Sequence, residues 1–81
     1  NCSIIGNDFR NCANGYTAVN LHGTNNHVKD NIFSGSGQKI TASGSKNVVM
    51  NNIAPDSTSS TFLSGSVSVK RGNYNSGGTE L

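Results

Sequence analysis

Asp8, Asp30, Asp56 and Glu80 are the only acids in this 81-residue chain, so any acid–base chemistry must be built from very few groups. Cleaving a glycosidic bond takes two facing carboxyls, one to protonate the leaving oxygen and one to act as base or nucleophile. Asp8 and Asp30 are the nearest approach to such a pair, but the internal repeat of the chain puts them in different columns of adjacent coils, which predicts solvated bend residues. Lys29 is the third candidate, because a lysine can abstract the proton beside a uronate carboxylate. It aligns with Lys70 on an outward column shared with Ile5 and Val49, and two lysines parted by an apolar rung make a poor charged cleft. Arg71 departs from the Gly, Asp and Met of its own column and reads as a surface arginine.

His22 and His27 bracket one turn, but two imidazoles without a further ligand do not make a metal site, and they read as hydrogen-bonding surface groups. Cys2 and Cys12 are too few for a disulfide framework or a four-ligand zinc site and read as two small buried thiols, with a disulfide between them as the alternative. Asn1-Cys2-Ser3 matches the N-glycosylation acceptor pattern. Asp8, Asp30 and Lys29 are therefore the candidate catalytic residues, with no cofactor or metal expected.

The net charge of +2 comes from six scattered basic residues of which only Lys70 and Arg71 adjoin, too thin a footprint for nucleic acid. The longest apolar run, Val48-Val49-Met50, is far short of the ~20 residues that span a bilayer, so no membrane insertion is expected. With 32% apolar and 12% charged residues and abundant Gly, Asn and Ser, the chain suits neither a helical bundle nor a charged disordered tail.

The elements that would position these groups come from the repeat. Cys2–Phe9 aligns without gaps to Asn26–Phe33, then to Lys46–Ile53 and Val67–Tyr74, at offsets of 24, 20 and 21 residues. Ile4, Val28, Val48 and Val69 form a β-branched column, and Phe9, Phe33, Ile53 and Tyr74 a bulky one. Between them stand Asn7, Asn31, Asn51 and Gly72, residue types that tolerate a left-handed bend. This predicts Asn31 stacked between Asn7 and Asn51, with Val28, Phe33, Val48 and Ile53 sharing one interior.

A second strand precedes each later unit: Val19–Gly23, Ile40–Gly44 and Thr61–Gly65. Its alternation points positions one and three inward and leaves Asn20, Thr41 and Phe62 outward. The intervals are too short for βαβ crossovers, and an antiparallel meander would need a mirrored pattern that is absent. The expectation is an all-β, right-handed single-stranded parallel β-helix of about three to four coils over residues 1–74, with 75–81 as a flexible exit. Starting inside a strand without a cap, it reads as a piece of a longer helix.

At Asn7-Asp8-Phe9-Arg10-Asn11-Cys12 and Asn31-Ile32-Phe33-Ser34-Gly35 the chain resembles the pectate-lyase-like superfamily of right-handed β-helices. Its short, weakly charged coils are most similar in style to bacteriophage tailspikes and tail appendages, and next to secreted polysaccharide lyases and hydrolases. The resemblance implies an extracellular protein of the virion tail that binds bacterial surface polysaccharide as a homotrimer, this piece being mainly scaffold. The alternatives are a secreted enzyme whose catalytic residues come from neighbouring coils or subunits, and a purely structural spacer. Outward, apolar Ile5 and Val49 point to a companion chain covering that face.

Overall fold

The computed structural model describes residues 2–9, 17–35 and 37–81. Cys12 lies outside them. Among the described residues nine short strands form three wholly parallel sheets. β1 (Ser3–Ile5), β4 (His27–Lys29), β7 (Val48–Met50) and β9 (Val69–Arg71) make the first. β2 (Asp8–Phe9) and β5 (Ile32–Phe33) make the second, which isolated parallel bridges extend through Ile53 to Tyr74. β3 (Val19–Leu21), β6 (Ile40–Ala42) and β8 (Leu63–Gly65) make the third. The framework is thus all-β, and each pass of the chain adds one strand to the same sheets in the same order.

The register is set at the bend between the first two sheets. The side-chain oxygen of Asn31 accepts the Asn7 backbone N–H at 2.8 Å and its side-chain amide at 3.3 Å. Asn52 accepts the same pair from Asn31, and Asn73 from Asn52, all within 3.1 Å. The amides of Asn31, Asn52 and Asn73 also reach back to a strand carbonyl, of Ile4, Val28 and Val49 in turn. The returns are therefore 24, 21 and 21 residues, and the expected partner Asn51 is displaced by Asn52. Asn51 is exposed and takes the left-handed backbone (φ 58°) that Gly6, Asp30 and Gly72 adopt at the same place. A second ladder joins the Cys2 N–H to Asn26 and the Asn26 N–H to Asn47, each at 3.0 Å.

This one-residue slip re-sorts the core. Val49, not Val48, pairs with Val28 and is fully buried, while Val48 pairs with His27 on the outer face and is only partly buried. Ile53 bridges Ile32 and Tyr74 on the outside and is 42% exposed, and Ala54, next along, is buried. Val28 and Phe33 lie in the interior as expected. Phe33 stacks on Phe9 with ring centroids 5.0 Å apart and meets Phe62 edge-on at 6.2 Å.

In the third sheet Val19 and Leu21 pair with Ile40 and Ala42 as read from the alternation. The next strand slips by two, so that Leu63 and Gly65 face Ile40 and Ala42. The cause is a single helical turn, α1 (Ser59–Phe62), entered where the Thr58 N–H donates to Thr61 Oγ1 at 2.9 Å. That turn swings Phe62, expected outward, into the core.

The segment expected as a flexible exit folds back instead. Asn75 Oδ1 accepts the N–H groups of Gly77 and Thr79, Glu80 bridges Tyr74 antiparallel, and the Leu81 N–H donates to the Asn73 carbonyl at 2.7 Å. Leu81 is buried with the core residues. Cys2 is exposed, not buried as its small size suggested. Gly44 (φ 103°) stacks so closely that an added Cβ would lie 1.9 Å from the Gly23 carbonyl oxygen.

Replacing Asn52 by Leu is expected to cost about 1–3 kcal/mol by orphaning buried donors. Asn51→Gly, at an exposed left-handed site, should change stability by less than about 1 kcal/mol. Urea unfolding of both variants checks the register, since the opposite ranking would restore Asn51 to the ladder. Gly44→Ala should cost at least about 1–3 kcal/mol more than Gly23→Ala, whose Cβ enters open space and bears only backbone strain.

Candidate functional site

The three candidates from sequence stand on one outer band without forming a catalytic pair. Asp8 lies in β2 in register with Ile32, and Asp30 occupies the left-handed bend after β4, one column earlier along the chain. The register therefore sets no carboxylate opposite another among the described residues. Lys29 shares its outward column with Ile5, Met50 and Arg71, not with Lys70 and Val49. Lys70 instead continues the inward column of Ile4, Val28 and Val49, and as part of the last parallel strand it is exposed. Arg71 is exposed at the end of the Lys29 column.

The two histidines separate. His27 is partly buried in the first sheet, whereas His22 follows the third sheet with its Nδ1 3.2 Å from the Ser43 hydroxyl. Among the described residues no group of three His, Cys, Asp or Glu gathers where it could hold a metal ion.

What the residue pattern did not reveal is an open cavity of about 230 Å³ over the third sheet. Three of its lining residues, Leu21, Ala42 and Gly65, are successive members of the inward column, and their side chains shrink from isobutyl to methyl to none. Its rim is His22, Thr41, Ser43 and Ser64. Thr41 donates its hydroxyl to the Asn20 side-chain oxygen, and the Ser43 hydroxyl also reaches the Leu21 carbonyl at 3.4 Å. The cavity depends on the two-residue slip of β8, which sets Gly65 on Ala42; the aligned glycines placed Gly65 with Gly44 and hid it.

Lys39 is the other group that sequence did not single out. It is buried, and its ammonium donates to the carbonyls of Gly35, at 2.6 Å, and Gly37. Burial holds its pKa below the ordinary 10.5, and the nearby charge of Asp56 works in the opposite direction. Asp56 also accepts the Gly35 N–H at 3.3 Å. The pair ties down the approach to β6, and with it the sheet that carries the cavity.

No family model, curated protein or solved structure matches this chain.

Because the Lys39 pKa is lower folded than unfolded, unfolding takes up a proton between the depressed value and 10.5. Stability contributed by Lys39 should then rise with pH through that window and be flat below it. Denaturant titrations of the wild type and Lys39→Met, from about pH 7 upward, should show the difference moving toward the wild type. A pH-independent difference would contradict the assignment.

Proposed function

We propose that the chain is a segment of right-handed parallel β-helix that holds a bacterial surface polysaccharide in the cavity at the end of its third sheet. Three parallel sheets visited in constant order, with returns of 21–24 residues that leave no room for crossover helices, support the β-helical reading. Its hand follows from the near-universal right-handedness of parallel connections.

The observation that carries the ligand reading is the composition of the cavity across three passes. Its floor is apolar and its rim offers hydroxyls and an imidazole. A sugar ring needs this combination, with an apolar face for its C–H groups and donors and acceptors for its hydroxyl edge. Passes stack at about 4.8 Å, so a glycan lying across them meets a hydroxyl at Thr41 and again at Ser64 beside a column that shrinks from Leu21 to Ala42 to Gly65. The rim holds no carboxylate among the described residues, which suits holding a glycan rather than cutting it. The resemblance to tailspikes and related polysaccharide-active proteins agrees with this ligand and with a place at the bacterial surface.

Isothermal titration against purified bacterial surface polysaccharides, with NMR mapping, should localise binding to Thr41, Ser43 and Ser64. Filling the cavity by Ser64→Tyr should weaken binding roughly tenfold or more while leaving the unfolding midpoint in place. Shifts confined to Lys29 and Arg71, or an affinity unmoved by Ser64→Tyr, would sink the proposal. Release of reducing ends by the unmodified chain would favour the enzyme reading.

A further inference from the structure

Successive passes of the chain are tied together by backbone bonds that recur in fixed places around the bend. The N–H groups of Gly6, Asp30 and Asn51 donate to the carbonyls of Lys29, Met50 and Arg71 in the following pass. Those of Ile32, Ile53 and Tyr74 donate back to the carbonyls of Asn7, Asn31 and Asn52, and those of Phe33 and Ala54 donate forward to the carbonyls of Ile53 and Tyr74. On the fourth pass the same three places fall at the Gly72 N–H, the Asn73 carbonyl and the Asn75 N–H. At a bare sheet edge such groups are a template for a strand of another molecule.

Segment 75–81 fills all three places. Glu80 Oε2 accepts the Gly72 N–H at 3.0 Å, the Leu81 N–H donates to the Asn73 carbonyl at 2.7 Å, and the Thr79 carbonyl accepts the Asn75 N–H at 3.0 Å. A side-chain carboxylate thus stands where the carbonyls of Lys29, Met50 and Arg71 stand in the earlier passes. The segment runs antiparallel, with Glu80 bridging Tyr74, so its bonds match those of a further pass while its direction breaks the parallel order. Asn75 holds it from within and from below, its Oδ1 accepting the Gly77 and Thr79 N–H groups and its amide donating to the Ser57 carbonyl at 3.2 Å. Leu81 is buried with the core residues.

The first sheet carries a second device on the same pass. Its inward column runs Ile4, Val28, Val49 and then Lys70, which is exposed. A strand added beyond β9 would bury that ammonium in line with the aliphatic core, a cost with no partner charge to offset it among the residues of its column. We propose that the fourth pass is a guarded edge: segment 75–81 caps the second sheet by imitating a further pass, and Lys70 deters strand addition to the first, so that this end of the stack does not pair with a second copy of the chain. An inward-pointing charge and a covering loop are two of the ways in which sheet edges are kept from association, and here they fall on adjacent sheets of one pass.

Amide hydrogen exchange read by NMR on the full chain should show the Gly72 and Asn75 N–H groups protected. Glu80→Ala should lose the protection at Gly72, and Glu80→Gln, whose amide oxygen can accept the same bond, should keep it. Lys70→Val, at an exposed position, continues the aliphatic column and should shift sedimentation-velocity profiles toward dimers and larger species, whereas Lys70→Arg should sediment as the wild type does. Adding Leu81→Asp, which releases the cap, should shift the Lys70→Val profile further, with circular dichroism and urea unfolding checking that each variant folds. If Leu81→Asp does not fold, Lys70→Val alone decides. Gly72 and Asn75 amides that exchange freely in the wild type, or a folded Lys70→Val chain that associates no more than the wild type, would overturn the proposal.

Discussion

The stacked asparagines at the bend between the first two sheets are the interaction on which the rest depends. A chain turning sharply between two short strands buries backbone donors that no sheet ladder can reach, and each must find an acceptor. Asn31, Asn52 and Asn73 supply it, each accepting two hydrogen bonds from the preceding pass while its own amide reaches a strand carbonyl. All three are buried, so an error of one residue would orphan several donors at about 1–3 kcal/mol each. The amide ladder and the apolar columns are locked together, because the carbonyls it caps belong to the inward residues Ile4, Val28 and Val49.

With the inward column decided, period-two alternation decides every outward one. The two outer surfaces that result differ in kind. The third sheet shows a neutral, hydroxyl-bearing rim over a floor that narrows to glycine, and the first two sheets show bare aliphatics between charges of opposite sign. The first combines hydroxyl groups with an apolar wall, and the second leaves Ile5, Ile32, Ile53 and Tyr74 exposed.

The candidate residues illustrate how far residue types alone can lead. Asp8, Asp30 and Lys29 stand out by their chemistry, and the register sets Asp8 opposite Ile32 and Lys29 opposite Ile5 and Met50. The cavity was not visible, because it comes from a Gly and an Ala that carry no functional group and meet only through the slip that α1 imposes. Nothing in the residue pattern sets Lys39 apart. Only the path of the chain around Gly35 and Gly37 makes it a buried donor to two carbonyls.

The all-β parallel repeat, Val28 and Phe33 in its core and Asn31 in its ladder were legible in the sequence, because like residues fall into columns at a short, steady interval when successive passes of a chain stack on one another. The choice between neighbours was not. Val48 and Val49 are chemically identical, and so are Asn51 and Asn52, so no propensity or periodicity prefers one of each pair. The decision falls to contacts across passes: Asn51 must take the left-handed bend for Asn52 to meet Asn31 and Asn73, and Val49 must turn inward for its carbonyl to receive the Asn73 amide. Phe62 and Leu81 enter the interior for the same reason, since their burial depends on partners distant in the chain. Sequence determined which residue types recur together, whereas only the tertiary structure decided which member of each doublet faces in, because that depends on satisfying ladder, bend and core at once.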